Sequence, residues 1–345
     1  MIYFAPYLIA SFLRVALPSR QMIGVLFWAF LIFCFFFAAF RFEVGCDWSS
    51  YKLNFEIHQR STFADAWASR QPFYISSFIG IGELGLDYRW FNVFACAIFF
   101  GGAAYLAKRQ PDPLAFLVLC YPVLIINMPM SGMRQAIAIG IMCIAFVQFS
   151  ERRPFLYGLW VVIATLFHSS ALIFLALAPM IGNMPFRQRA ALLVLLTLPG
   201  LAAIASSDMV EVATSRYIES DLDAAGALFR ILPVTACGLL WILLLRKDWR
   251  RRFPHDAKLV WLASLMMLAV IFVLPVSSVI ADRIAYYLMP LQAVIFARIP
   301  FLAIPFRKLF SIFPYVLLGG LFVSWMWLSD HFDRCYVPYE SWLLV

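Results

Sequence analysis

The chain has 345 residues, 64% of them hydrophobic and 13% charged, with apolar segments near membrane length recurring from one end to the other. That pattern excludes a soluble globule, and no region is polar enough for a separate soluble domain. The net charge of +8 lies in short loops between apolar runs, as the positive-inside rule requires, so it reports topology and gives no ground for a nucleic-acid partner.

The expected fold is one all-α polytopic integral membrane domain over residues 1–345. Met1 to Leu17 lacks the basic start and small-residue cleavage site of a secretory signal, so Ile2 to Leu17 reads as a retained first helix. The second runs from Met22 to Phe40, and Arg14 and Arg20 assign the turn between them to the cytoplasm. Arg41 to Arg70 is then an outer loop with a short interfacial helix around Tyr51 to His58. Gln71-Pro72 opens an apolar stretch of about fifteen residues ending at Gly85-Leu86, marginal for a full span and suited to a half-helix that returns to its own side.

Asp87-Tyr88-Arg89 is again outside, Trp90 to Ala107 goes in to Lys108-Arg109, and Leu114 to Ile126 comes back out. The uncharged turn Asn127 to Met133 leads to a helix from Arg134 to Phe149, closed inside by Glu151-Arg152-Arg153-Pro154. Phe155 to Ile181 has Arg152 and Arg153 before it and Arg187 and Arg189 after it, so both its ends belong in the cytoplasm. Two short helices meeting at Phe167-His168-Ser169-Ser170 satisfy that and bring His168 to the outer surface; one tilted helix with a buried His is the alternative. A helix from Ala190 to Ala205, an acidic outer loop from Ser207 to Gly226 and a helix from Leu228 to Leu245 follow. Arg246 to Lys258, with six Lys or Arg, is the strongest inward marker. Leu259 to Ser278 then goes out, Asp282-Arg283 marks an outer turn, and Ile284 to Ile299 comes in. Arg307-Lys308 stays in, Leu309 to Leu328 goes out, and the tail Ser329 to Val345 ends outside. The total is about twelve membrane helices, two of them forming the short hairpin, plus the half-helix on the outer side.

Of seven cysteines, Cys34, Cys96, Cys120, Cys143 and Cys237 lie in apolar runs, where cysteine acts as a small hydrophobe. Cys46 and Cys335 fall in outer loops, each beside a motif expected near the site, and a disulfide between them would pin the tail over the first outer loop.

Loop charge alone gathers Arg41, Asp47, Tyr51, Pro72, Arg134, His168, Asp282, Arg283 and Tyr336-Val337-Pro338-Tyr339 on the outer face. These positions carry a resemblance. Arg41, Gly45, Asp47 and Tyr51; Gln71-Pro72; Ser131, Arg134 and Gln135; Phe167, His168 and Ser170; Asp282-Arg283; and Tyr336, Pro338 and Tyr339 follow the order of the motifs of a known family. The chain resembles, over nearly its whole length, the EpsG family of Wzy-type polysaccharide polymerases. Cys46 stands where Thr is usual, and Gln71 where an acidic residue is usual.

The resemblance implies a glycosyltransferase of the inner membrane that polymerises polyprenyl-diphosphate-linked oligosaccharide repeat units at the periplasmic face, as in O-antigen or exopolysaccharide synthesis. The diphosphate leaving group gains negative charge as the anomeric bond breaks, and arginine forks stabilise phosphate oxygens without a metal. Arg134 starts a helix whose free N–H groups also favour an anion, and Arg283 and Arg41 complete the expected clamp. The acceptor hydroxyl needs a base, either His168, whose ordinary pKa is near ~6.5, or Asp47. The expected catalytic set is therefore His168, Asp47, Arg134 and Arg283. Trp48, Tyr51, Tyr336 and Tyr339 offer aromatic faces to sugars. Each has a plainer reading: snorkelling arginines, pairing with Asp282 or Glu43, and an interfacial aromatic belt.

No cofactor or metal is expected: Asp221-Leu222-Asp223 reads as a solvated loop, and Asp330, His331 and Asp333 find no further donors in sequence to complete a divalent-ion site. The expected partners are the lipid-linked glycan, the lipid bilayer and a regulator of chain length. A glycan ligase, a flippase or transporter of lipid-linked sugars, and a non-catalytic assembly subunit are the alternatives. A transporter would place ionisable groups along a mid-membrane path, whereas the predicted helix interiors are almost charge-free.

Overall fold

Lipid offers no partner to backbone N–H and C=O groups, so apolar segments of this composition must satisfy them within helices. The computed structural model describes residues 1–16, 20–182, 185, 187–189, 191–192, 194–195 and 226–344. These form an all-α polytopic membrane protein. The expected helix Ala190 to Ala205, the acidic segment 207–225 and Asp221-Leu222-Asp223 fall mostly or wholly outside the described residues.

Helices α1 (Phe4–Ala16) and α2 (Arg20–Ala39) are followed by a two-residue strand β1 (Arg41–Phe42). The next loop carries α3 (Trp48–His58) and α4 (Phe63–Ala68), the latter closed by a capping box between Thr62 and Asp65. Proline at a first helical position starts α5 (Pro72–Glu83), whose 12 residues reach only about 18 Å at 1.5 Å each. Its start meets Arg134, through Gln71, and its end meets Gln59. It therefore returns to the end of the bundle it came from, as a half-helix should.

The remaining elements run between two ends. They are α6 (Tyr88–Ala107), α7 (Pro113–Cys120) prolonged by a π-helical turn (Tyr121–Ile125), α8 (Met133–Ser150) and α9 (Pro154–Phe167). A 3-10 helix (Ser169–Met180) follows His168 and lies back along α9, the Tyr157 hydroxyl donating to the Phe174 carbonyl at 2.7 Å. This is the expected hairpin, with one arm wound tighter. As a 3-10 helix its 12 residues cover about 24 Å, more than an α-helix of that length would. Then come α10 (Ala227–Leu240), running on into α11 (Arg246–Arg252), α12 (Ala257–Val273), α13 (Ser278–Arg298) and α14 (Arg307–Leu328). The short α15 (Asp330–Tyr336) and strand β2 (Glu340–Ser341) end the chain, β2 pairing antiparallel with β1. Among the described residues six helices are long and apolar enough to cross a membrane and five more are shorter.

One end is ionic. There Asp112 pairs with Arg14, Glu151 with Arg109 at 3.5 Å and Asp256 with Arg298 at 2.5 Å, while Lys258 donates to the Gly182 carbonyl at 2.9 Å. Helices α8 and α13 are the most buried posts of the bundle, and α2, α10 and α14 expose apolar side chains such as Phe36, Phe229 and Val316 on its outside. One boundary differs from expectation. Asp282 and Arg283 lie in the second turn of α13, not in an outer turn, because Ser277 caps the helix by accepting from the Ile280 N–H.

Candidate functional site at the end opposite the ionic cluster

The loop after α2 turns on Arg41, which is 0% exposed. Its guanidinium donates to the carbonyls of Val44 at 2.9 Å and Ala38 at 2.6 Å, and it lies over the Trp48 ring at 5.5 Å. Arg41 thus caps the C-terminal carbonyls of α2 and fixes the turn that follows. Gly45 then adopts φ +105° against the Met130 carbonyl, where a Cβ would stand 1.8 Å from the oxygen. Only glycine fits that close approach. Two residues on, the Asp47 backbone N–H donates to Ser131 Oγ at 3.3 Å, and one helical turn later the Tyr51 hydroxyl accepts from the Arg134 N–H at 3.3 Å. The spacing of Arg41, Gly45, Asp47 and Tyr51 is the spacing of an anchor, a close contact and two residues laid on the start of α8.

A cavity of about 250 Å³ opens there, lined by Asp47, Tyr51, Arg134, His168, Arg230, Asp282, Arg283 and Tyr286 among others. Arg134 lies between the Tyr74 and Tyr51 rings, at 5.1 and 5.8 Å, and its Nη1 donates to Gln71 Oε1 at 3.1 Å. A neutral glutamine in the place of the usual acid leaves the full guanidinium charge. The Arg134 Nε is buried with no hydrogen-bond partner among the described residues. Gln135 ties the two central posts, donating to the Arg283 carbonyl at 2.7 Å. Arg230, on α10, grips both oxygens of Asp282, at 2.7 and 3.0 Å. Asp47 is exposed as a residue, yet desolvation of its carboxyl group at the cavity raises its pKa against the opposing pull of Arg134 and the Ser131 hydroxyl.

His168 sits at the tip of the hairpin in extended backbone, φ −149°, and is 7% exposed. Its Nδ1 lies 2.6 Å from Ser170 Oγ and 3.3 Å from the Tyr287 hydroxyl, and Ser170 donates to Tyr287 at 3.4 Å. If the serine proton goes to Tyr287, Nδ1–H donates to Ser170 and Nε2 keeps its lone pair. Burial, with Arg283 and Arg134 nearby, pushes the His168 pKa down to about 3, so the ring is neutral at pH 7.

Of the residues expected from sequence, the cavity collects Asp47, Tyr51, Arg134, His168 and Arg283. Arg41, Trp48, Tyr336 and Tyr339 are packed outside its lining. Trp48 meets the Tyr88 ring edge-on at 5.1 Å. The Tyr336 hydroxyl donates to the Ile126 carbonyl at 3.4 Å, and Tyr339 stacks on Phe37 at 4.4 Å while donating to its carbonyl. Cys46 and Cys335 are joined as a disulfide, and the Gly45 N–H donates to the Cys335 carbonyl at 2.6 Å. Both sulfur atoms lie within 4.8 Å of the His331 ring nitrogen, and the disulfide withdraws them from metal ligation. Sequence reasoning missed Arg230, Tyr286 and Tyr287. The available signal for Arg230 was a cation three residues inside an apolar helix.

The fold and cavity define a class: a polytopic helical membrane protein with arginines, carboxylates and a histidine gathered at one end. The chain belongs to the EpsG family, whose pattern matches residues 24–341, nearly the whole chain. EpsG is a Wzy-like polymerase family and fits a glycosyltransferase-type polymerase of polysaccharide synthesis. No curated protein and no solved structure matches the chain.

Proposed function

We propose that the cavity is the site of a metal-independent glycosyl transfer that polymerises polyprenyl-diphosphate-linked repeat units. The observation that carries this reading is the convergence of Arg134, Arg283, His168 and Asp47, from four separate parts of the chain, on one cavity. The donor's diphosphate binds at Arg134, whose Nε donor has no partner among the described residues, with Arg283 opposite. As the anomeric C–O bond breaks, its electron pair passes to the diphosphate, and the guanidinium groups stabilise the growing charge. The acceptor hydroxyl attacks from the other side and gives its proton to His168 Nε2, with Asp47 as the rival base. Inversion at the anomeric carbon follows from a single displacement. Arg41 acts as a positioning residue for the Asp47 loop, and Tyr51 as one for Arg134.

The ionic end carries Arg109, Arg152, Arg153 and the run from Arg246 to Lys258, which supports a cytoplasmic orientation for it and a periplasmic one for the cavity. A regulator of chain length is part of the same proposal. The test is purified protein with a synthetic polyprenyl-diphosphate repeat unit in chelator-containing buffer, products resolved by size. A ladder at repeat-unit spacing that Arg134→Ala abolishes is the expected result. Activity only with added divalent ion would overturn the metal-independent mechanism, and no product in either buffer would overturn the polymerase reading.

A further inference from the structure

Away from the cavity, helices α2 and α6 part to leave an open groove of about 460 Å³, walled by Trp28 and Phe36 from α2 and floored by Ala97, Gly101 and Tyr105 from α6. Trp28 and Phe36 are each about half exposed, so the groove opens on the outside of the bundle, where lipid lies. A Cβ on Gly101 would meet nothing within 4 Å, so no protein atom fills the space over the α6 backbone there. At the end of the groove stands Lys108, the one charged residue of its described lining, its ammonium 5.7 Å from the centre of the Trp28 ring. Neighbouring cations of the ionic end have carboxylates: Arg14 has Asp112, Arg109 has Glu151 at 3.5 Å and Arg298 has Asp256. Lys108 has no carboxylate partner among the described residues. From Lys108 to Ala97 is about 16 Å of helix, half of a hydrocarbon core of about 30 Å. The groove therefore has the depth of one leaflet, with its cation at the headgroup level and its small-residue floor running toward the midplane.

We propose that this groove binds an anionic phospholipid of the leaflet at the ionic end, one acyl chain lying between α2 and α6 and the phosphate resting on Lys108. The occupant follows from charge and depth together. A net negative headgroup supplies the anion that the chain does not, whereas a zwitterionic one brings an ammonium of its own to the same place. The acyl chain packs on the backbone at Gly101 and on the aromatic wall, in the close contact by which helices adhere in lipid. The cavity that holds Arg134 lies at the opposite end of the bundle, so a lipid held there by its phosphate brings no anion to Lys108. The bound phospholipid thus acts as a brace between α2 and α6, apart from the chemistry of the cavity.

The test is native mass spectrometry of the full-length protein in detergent, with equal concentrations of phosphatidylglycerol and phosphatidylcholine carrying the same acyl chains. One phosphatidylglycerol per protein should be retained about fivefold more strongly than phosphatidylcholine, the preference expected of a single lysine near the membrane surface. Lys108 is exposed, so Lys108→Gln leaves the core untouched, and it should retain the two lipids equally. Gly101→Leu puts a side chain into the groove and should lose the retained lipid, with a thermal midpoint in lipid-free detergent no lower than that of the unaltered protein. Equal retention of both lipids by the unaltered protein would overturn the proposal, as would a preference that survives Lys108→Gln or a lipid that survives Gly101→Leu. Displacement of the phosphatidylglycerol by an equal concentration of a polyprenyl monophosphate would also overturn it, by giving the groove to a polyprenyl chain.

Discussion

Arg134 and Arg41 lie at the same end of the bundle, and their surroundings assign them opposite work. Arg41 is fully enclosed and spends its donors on the Ala38 and Val44 carbonyls, so Arg41→Ala leaves those acceptors buried and unpaired. A loss of stability of about 2–4 kcal/mol is expected, read as a lower denaturation midpoint, with the donor KM of the surviving folded fraction nearly unchanged. A large rise in KM without destabilisation would instead make Arg41 a clamp residue. Arg134 lines the cavity, so Arg134→Ala should cost about 10²–10³ in rate while the fold survives. Arg134→Lys should recover little, because an ammonium lacks the planar fork that reaches Gln71 and stacks between two tyrosines. Ser170 acts at one remove, by fixing which His168 nitrogen carries the proton. Ser170→Ala should lower kcat about tenfold with KM unchanged, and Ser170→Thr should restore it; initial rates of ladder formation separate these outcomes.

At the scale of elements, the central posts are set by a close crossing of α6 and α8. A Cβ on Gly102 would stand 1.8 Å from the Gly140 carbonyl oxygen, and one on Gly140 would stand 2.6 Å from the Ile98 carbonyl oxygen. In lipid, where apolar side chains gain little by leaving the solvent, such close backbone packing supplies much of the adhesion between helices. Gly140→Leu is expected to destabilise the bundle by about 3 kcal/mol and, by tilting α8, to displace Arg134 at its N-terminal end; thermal aggregation in detergent should begin at a lower temperature and ladder formation should fail. Neither glycine announced this role in sequence. Hydropathy and loop charge did expose the half-helix, because about 12–15 apolar residues cannot span, and the hairpin, because two basic flanks forbid an odd crossing. The same logic misplaced Asp282 and Arg283. Charges mark a membrane boundary only when they face lipid or water, and these face a polar cavity one turn inside α13. Arg230 escaped for a related reason: its partner Asp282 is 52 residues away, and pairing across that separation leaves no local pattern.

At the scale of the whole molecule, the N-terminal and C-terminal segments are bound to each other beside the loop that carries Asp47. The Tyr3 hydroxyl donates to the Tyr336 carbonyl at 2.6 Å, β2 pairs Ser341 with Arg41, and the Cys46–Cys335 disulfide joins residues 289 apart. Asp47 follows Cys46 directly, so the tail holds the loop that presents a cavity carboxylate. The tail motif Tyr336, Pro338 and Tyr339 resembles a sugar-binding set in sequence, yet its aromatic faces are used within this strap, on Phe37, Phe332 and Trp325. Cys335→Ser should therefore act on stability first. A loop of nearly the whole chain would give a large entropic gain in a fully unfolded reference, and helices that persist in the membrane reduce it, so about 2–4 kcal/mol is expected. The denaturation midpoint of Cys335→Ser, of Cys46→Ser and of the double variant should fall equally, since each removes the same bond. If the strap also positions Asp47, the three variants should share a common fall in kcat/KM that Asp47→Asn does not deepen further. Additive losses would mean that Asp47 keeps its place without the disulfide, and that the strap serves the fold alone.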